Sequence, residues 1–366
     1  MKQTVCILGG YGGVGKSLSQ ALLKYTDCNL IIAGRRKALA EEWGKELSRI
    51  FPERKIMACF ADTCNHAALT DVFRQADLVV VTATVADSMG EIASAAIDAG
   101  TGLIDIMLRG DVAENLLRYE PLMKEKKLRF ITQAGFHPGL VAPLIRSLMP
   151  KFDQYHSATI GLAMDPIFRN PESTHELFHE IVAVKPMILQ SGKWKEGSYR
   201  DLVTLHFPRY FGLKKCFPFA LKEIQDIEKV TGLRDAGVYA AGFDFWIDWV
   251  IFPVAMVAGL FSAKWSKILG GKMLFAHIKK RKDQRPRVEM VLEATGIKDG
   301  KEKKVSRTLS AEDGFDLTAY AVLACIRQYF SGILGAPGLY LMGQIVEEKS
   351  LLEDLKIMGV TITDRE

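Results

Sequence analysis

Residues 9–17 read GGYGGVGKS, and this short stretch satisfies two motifs that imply different chemistries. Read from Gly10 it is G-x-x-x-x-G-K-[ST], the phosphate loop of ATPases and GTPases. Read as Gly10, Gly12 and Gly15 it is G-x-G-x-x-G, the dinucleotide fingerprint. Both motifs put a glycine-rich turn between a strand and a helix. Both hold phosphate on backbone N–H groups at the helix N-terminus. The turn alone therefore does not choose between them.

The flanking sequence supplies the context. TVCILGG (4–10) is a short apolar run that ends in glycine, which reads as a buried strand, and Val14, Leu18, Leu22 and Tyr25 recur near the helical period behind it. NLIIAG (29–34), KIMACFAD (55–62), ADLVVVTAT (76–84), GLIDIM (102–107) and RFITQAG (129–135) are further strands, with helices expected over 37–50, 66–75 and 88–99. Strands that alternate with helices pair in parallel, because each crossover needs a helix. The expected fold class is therefore α/β, a doubly wound parallel Rossmann sheet over roughly the first 140 residues.

Residues beyond the turn discriminate between the motifs. A phosphate-loop enzyme needs a magnesium carboxylate at the end of a second apolar strand. Asp77 stands at the wrong end of ADLVVVTAT, and Asp105 follows only a short run. A dinucleotide fold needs a ribose-reading residue about 20 positions after the last glycine, at the end of the second strand. That position holds Arg35 and Arg36. Two arginines suit a 2′-phosphate, which they grip through charge-assisted bonds; the plainer reading is a solvated basic corner. The expectation is NADP(H), bound by Gly10, Gly12, Gly13, Val14 and Gly15 with Arg35 and Arg36, and Lys16 and Ser17 become ordinary first-turn residues. Ligands sit outside the carboxyl ends of such strands. Thr82, Ala83 and Thr84 should then flank the pyrophosphate and nicotinamide ribose, and Asp62 the adenine.

Composition bounds the remainder. With 366 residues, 48% hydrophobic and 25% charged, the chain is an ordinary globular protein large enough for two domains. Its six scattered cysteines form no C-x-x-C, which argues for a reducing compartment and against a zinc ribbon. The N-terminal apolar run is too short and too glycine-rich for a signal peptide, so a cytoplasmic location is expected. The net charge of +5 is uneven: residues 264–307 carry 14 Lys/Arg against 5 Asp/Glu, a local +9. Just upstream, WVIFPVAMVAGLFSA (249–263) has no charge at all. It is shorter than the roughly 20 residues a bilayer core needs. It reads as a buried or subunit-interface helix, with a peripheral membrane contact through 249–287 as the other reading.

After about residue 150 the pattern changes to an α+β domain. HSATIGLAM (156–164) reads as a strand and 173–184 as a helix. RVEMVLEATGIKDGKEKKVSRTL (287–309) reads as a hairpin, with Asp299-Gly300 as its turn. Domains are expected at 1–145, 146–315 and 316–366, the last as C-terminal helices that pack back on the first. Two motifs are set aside. HELFH (175–179) matches H-E-x-x-H but has no third ligand at a fitting spacing, so no metal is expected; His175 and Glu176 instead read as a polar helix face that could border a substrate. YFGLK (210–214) matches Y-x-x-x-K, but Gly212 and the preceding Pro208 disfavour the helix that motif requires.

VCILGGYGGVG, AGRR, ADLVVVTAT, AAIDAGTGLIDI and ITQAGFHPGLVAPLI, in that order, resemble the saccharopine dehydrogenase-like oxidoreductases. GFDLTAY (314–320) and PGL (337–339) are similar to the C-terminal part of that family. The resemblance implies NAD(P)-linked hydride transfer to or from a C=N bond, or in some members a C=C bond, of a small-molecule substrate. It also implies an α+β dimerisation and substrate domain, hence a homodimer; no nucleic-acid partner is expected. His137 stands where the family commonly has Asp, and an apolar, basic middle replaces amino-acid-binding polar groups. Hydride transfer needs a controlled proton. The candidates are His137 in the turn AGFHPG leaving the sixth strand, Asp105, and Arg109, which could hold a substrate carboxylate or phosphate. The site is expected between the two domains. The alternative is a non-catalytic NADPH-binding protein that docks a membrane surface or partner through 249–287.

Overall fold

The computed structural model describes residues 2–165, 185–198, 200–244, 246–280 and 285–366. The chain divides into two units, one of residues 1–140 and 315–358, the other of residues 141–314 and 359–366.

In the first unit, β1 (Thr4–Leu8), β2 (Asn29–Gly34), β3 (Ile56–Phe60), β4 (Leu78–Val81), β5 (Gly102–Asp105) and β6 (Arg129–Thr132) alternate with α1 (Gly13–Tyr25), α2 (Lys37–Ile50), α3 (His66–Phe73) and α4 (Met89–Ala99). The sheet order is 3-2-1-4-5-6, and the strand Gly338–Leu341 adds outside β6. All neighbours are parallel. This is the doubly wound order whose direction of winding reverses between β1 and β4. The central strands are covered on both faces, so they read as unbroken apolar runs: Val5, Cys6 and Ile7, and Val79, Val80 and Val81, are fully buried. α1 contributes Leu18 and Leu22, both fully buried, and truncating either to Ala should cost about 2–5 kcal/mol. The long helix Gly314–Ser331 packs on this unit: Phe315 lies against Gly13, and Tyr320 meets Tyr25 edge-on.

The second unit is a mixed sheet. β7 (Gln154–Met164), β8 (Met187–Gln190), β9 (Lys193–Glu196), β10 (Val203–Phe207), β11 (Gly212–Pro218), β12 (Asp235–Ala241), β13 (Val288–Lys298) and β14 (Lys301–Ala311) precede a last strand, Thr361–Arg365. The main path runs β10-β11-β12-β7-β13-β14 and then the last strand; β8 joins β12, and β9 joins β8. Only β12–β7 is parallel among these pairs. The β13–β14 hairpin closes at Asp299 and Gly300, both at positive φ, which is the backbone a tight two-residue turn requires. Glu289 on β13 is fully buried. Its carboxylate accepts the backbone N–H groups of Arg209 and Tyr210 at 2.9 Å each and so fixes the turn between β10 and β11.

Several local readings meet the structure differently. Gly212, at φ 64, opens β11, so YFGLK is a turn and strand and not a helix. The last residues, read with C-terminal helices, form a strand beside β14, because Thr361 to Arg365 satisfy that edge. The apolar stretch is helical: a π-turn at Ile247–Ile251 runs into Phe252–Phe261, and Ala263–Lys279 follows. Among the described residues no helix is long and apolar enough to cross a membrane. The helix expected over 173–184, with His175, Glu176 and His179, lies outside the described residues.

Candidate functional site

The glycine turn leaves β1 at Leu8. Gly9 takes φ 90, and its N–H donates to the Ala33 carbonyl at 2.8 Å. A Cβ on Gly9 would lie 2.6 Å from the Ala83 nitrogen. One on Gly15 would lie 2.2 Å from the Gly9 carbonyl oxygen, and one on Gly13 2.9 Å from the Phe315 ring. Gly10 is tight against Ile32 and Ile7 at 3.1 Å. Gly12 differs. Its backbone is extended, it is exposed, and its Cβ would meet only the Gly9 oxygen, at 3.2 Å. The protein's own packing thus accounts for four of the five glycines and leaves Gly12 with space beside it. Gly12 is also the N-cap of α1, with no side-chain cap. The first-turn N–H groups of Gly13, Val14 and Gly15 therefore have no side-chain acceptor, and a phosphate would satisfy them.

Lys16 bears on the double motif. Its Nζ sits 4.4 Å from the centroid of the Trp43 ring on α2. That places the ammonium on an aromatic face in a cation–π contact, not over the glycine turn where a phosphate-loop lysine would act.

Arg35 and Arg36 end the β2–α2 turn, and both are exposed. The Arg36 guanidinium lies 5.5 Å from the centroid of the Tyr11 ring, and its backbone N–H donates to the Tyr11 hydroxyl at 3.1 Å. Tyr11 in turn lies so close to Gly34 that a Cβ there would be 2.6 Å from its hydroxyl. The glycine turn and the arginine corner are thus joined through one aromatic ring. Among the described residues neither arginine makes a salt bridge. Asp62 follows β3 and is occupied locally, its carboxylate accepting the Cys64 N–H at 3.0 Å. Thr82 and Ala83 follow β4, half-buried; both N–H groups donate to the Leu8 carbonyl, at 2.9 and 3.2 Å. Thr84 beyond them is exposed. The ends of β1 and β4 therefore flank the reversal point of the sheet.

Asp105 closes β5 and is fully buried. One carboxylate oxygen accepts the Met107 N–H at 2.9 Å, the Thr132 hydroxyl at 3.0 Å and the Gln133 N–H at 3.4 Å. The other has no partner among the described residues. Burial outweighs these bonds and raises the carboxyl to about 6. Asp105 thereby ties the end of β5 to the turn after β6, where Gln133 sits at φ 57. His137 follows in that turn. Part of its surface is accessible, yet desolvation of the ring lowers it to about 4, so the imidazole is neutral at neutral pH. Pro138 follows a cis peptide bond. Gly139, at φ 125, packs where a Cβ would lie 2.3 Å from the Gly135 oxygen, so the turn has little room to vary. Arg109 is engaged: it makes a two-pronged pair with Asp111 at 3.0 and 2.6 Å and a third bond to Asp87 at 2.5 Å.

Residues 5–131 match the family model of the saccharopine dehydrogenase NADP binding domain. The chain also has the fold of the apo, histidine-tagged saccharopine dehydrogenase (L-Glu forming) from Saccharomyces cerevisiae. That likeness has a TM-score of 0.72 at 13% identity and covers 100% of both chains. DAP dehydrogenase of C. glutamicum in complex with DAP gives a TM-score of 0.49 at 14% identity, covering 97% of this chain and 98% of that one. An engineered D-amino acid dehydrogenase bound to NADP+ gives 0.48 at 12% identity, covering 98% and 99%. No curated protein matches the sequence. The saccharopine dehydrogenase-like resemblance and the parallel Rossmann sheet with a second mixed-sheet unit are both borne out, and a dehydrogenase-type nucleotide domain supports an oxidoreductase.

In the first unit three residues escaped the sequence reading. Gly9 carries the positive φ at the tight turn; the doubled glycine at 9 and 10 was the available signal. Tyr11 joins the turn to the arginines, and no spacing rule announces it. Gln133, at positive φ and 3% exposed, is held only by tertiary bonds.

Proposed function

We propose that the chain is an NADP(H)-dependent oxidoreductase acting on a C=N or C=C bond of a small-molecule substrate. The observation that carries this reading is the arginine corner. Arg36 is seated on Tyr11, Arg35 is beside it, and neither is neutralised by a described carboxylate. A dinucleotide with a bare ribose would need an acidic acceptor at this position, whereas a 2′-phosphate needs cations. Gly10, Gly12, Gly13, Val14 and Gly15 would hold the pyrophosphate on backbone N–H groups. Thr82, Ala83 and Thr84 would flank the nicotinamide ribose, and Asp62 the adenine. The bound dinucleotide supplies or accepts a hydride; the chain's own part is to orient the reactants and manage a proton.

For that proton the three candidates divide. His137 is neutral at rest, so it accepts a proton or a hydrogen bond and becomes a donor only where a bound substrate raises its pKa. Asp105 is a positioning residue that holds the turn bearing His137. Arg109 would bind a substrate anion by giving up the contact to the exposed Asp87 while keeping Asp111. These engagements also favour a second reading, an NADPH-binding protein without turnover. Calorimetric titration with NADPH and NADH tests the cofactor, and equal affinities would defeat the assignment. A screen of NADPH consumption over imines and enones then separates the readings, because tight NADPH binding with no consumption selects the second.

A further inference from the structure

The second unit carries an apolar surface that is exposed among the described residues. Ile247, Ile251 and Ala255 meet Leu274 and Ile278 in a small core, so Phe252–Phe261 and Ala263–Lys279 pack as an antiparallel pair joined at Ser262. The inner face is thereby satisfied. The outer face is also apolar: Trp246 is 59% exposed, Val254 39% and Val257 55%, with exposed Pro253 among them. They follow Trp246 by 7, 8 and 11 residues across the π-turn, and all four are exposed where Ile247, Ile251 and Ala255 are buried. On the paired helix, Leu269, Lys272, Lys279 and Lys280 are exposed at helical spacing, so that helix shows solvent a stripe with one apolar and three basic side chains.

We infer that this helical pair docks the chain on the surface of an anionic lipid bilayer. The apolar side chains would enter the headgroup boundary, and the lysines would meet the lipid phosphates. Apolar residues on both faces of a helix require a second apolar environment beyond the protein core. Trp246 suits the boundary itself, with an apolar ring and one N–H donor. The basic stripe selects an anionic surface. It disfavours a second copy of the chain, because a two-fold contact through this face would bring like charges together. The ten-residue helix Phe252–Phe261 is about 15 Å long, half a bilayer core, so it would lie in the surface and not cross it. The inference is independent of the cofactor and of turnover.

The test uses the full chain with extruded vesicles of phosphatidylcholine, alone or mixed with phosphatidylserine, and reads co-sedimentation. The chain should sediment with the phosphatidylserine vesicles, less with phosphatidylcholine alone, and less again as salt rises. Val257→Glu and Trp246→Glu should each weaken binding roughly tenfold or more, with far-ultraviolet circular dichroism and the thermal melt unchanged. Lys272→Glu/Lys279→Glu/Lys280→Glu should abolish the preference for phosphatidylserine. The inference fails if neither vesicle sediments the chain, or if folded Val257→Glu binds like the parent. It fails equally if this face instead holds a dimer that Val257→Glu dissociates while no vesicle is bound.

Discussion

Replacing Gly12 and Gly15 separately by Ala should produce opposite phenotypes, although both are fingerprint positions. At Gly15 the new methyl would stand 2.2 Å from the Gly9 oxygen and 2.7 Å from the Gly10 Cα. Both are backbone atoms of a turn already held at φ 90 by the Gly9–Ala33 bond, so they cannot swing aside as a flexible side chain would. Overpacking of this kind costs about 1–3 kcal/mol, and the contact is closer than ordinary overpacking, so the upper end applies. The gain in helix propensity from Gly to Ala, about 1 kcal/mol, offsets part of it. The net is about 2 kcal/mol, or roughly 4–8 °C in the melting temperature of a unit this size. At Gly12 the methyl meets one oxygen at 3.2 Å, and φ −79, ψ −177 is open to any residue. The fold should lose only about 0.5–1 kcal/mol, through the poorer N-cap. The methyl would instead occupy the approach of the pyrophosphate, so NADPH affinity should fall by about tenfold or more, at least about 1.4 kcal/mol. Thermal melts without cofactor and calorimetry with NADPH read the two effects separately. A Gly12→Ala protein that melts several degrees lower yet binds NADPH like the parent would refute the reasoning. So would a Gly15→Ala protein with an unchanged melt.

Arg35→Asp/Arg36→Ser should erase a preference for NADPH over NADH of about 1.5–3 kcal/mol, measured by calorimetry, because one charge-assisted interaction with the 2′-phosphate is lost at the least. Lys16→Ala should leave NADPH affinity within a few fold, since its ammonium rests on Trp43; magnesium-dependent ATP hydrolysis that disappears in this variant would overturn the choice of motif. Asp105, raised to about 6 by burial, binds its proton more tightly in the folded state. Its contribution is therefore favourable below the unfolded pKa near 4, is lost as pH rises through 4 to 6, and amounts to about 2–3 kcal/mol. Asp105→Asn should remove that slope, and denaturant unfolding at pH 5 and pH 8 should show the variant gaining on the parent at the higher pH. His137, lowered to about 4, has the opposite sign, stabilising above about 6.5 and progressively less as pH falls through 6.5 to 4; His137→Gln should flatten that acid limb in the same unfolding series.

The strands and helices of the first unit were legible in the string alone. A sheet buried on both faces must be made of unbroken apolar runs, and helices between them leave a 3.6-residue stripe. The runs at Thr4–Leu8, Asn29–Gly34 and Leu78–Val81 could therefore be read without coordinates, as could the helix at Lys37–Ile50. The β13–β14 hairpin was legible for a similar local reason, since Asp-Gly accepts the positive φ its turn needs. What the sequence left open were facts about neighbours distant along the chain. GGYGGVGKS fits two motifs, and only the placement of Trp43 on α2, 27 residues beyond Lys16, shows where that ammonium goes. Gly15 and Gly12 look alike in the string; the Gly9 oxygen beneath one and the open space beside the other distinguish them. Arg109 looks like an anion grip until Asp87, brought from the short 3-10 helix Ala86–Ser88, completes its ion pairs. Asp105 reads as a candidate for proton transfer until Thr132 at the end of β6 and Gln133 in the turn beyond it bind its carboxylate. Local periodicity is written in each segment, whereas the charge state and availability of a side chain depend on what the fold packs against it, and that was decided only in three dimensions.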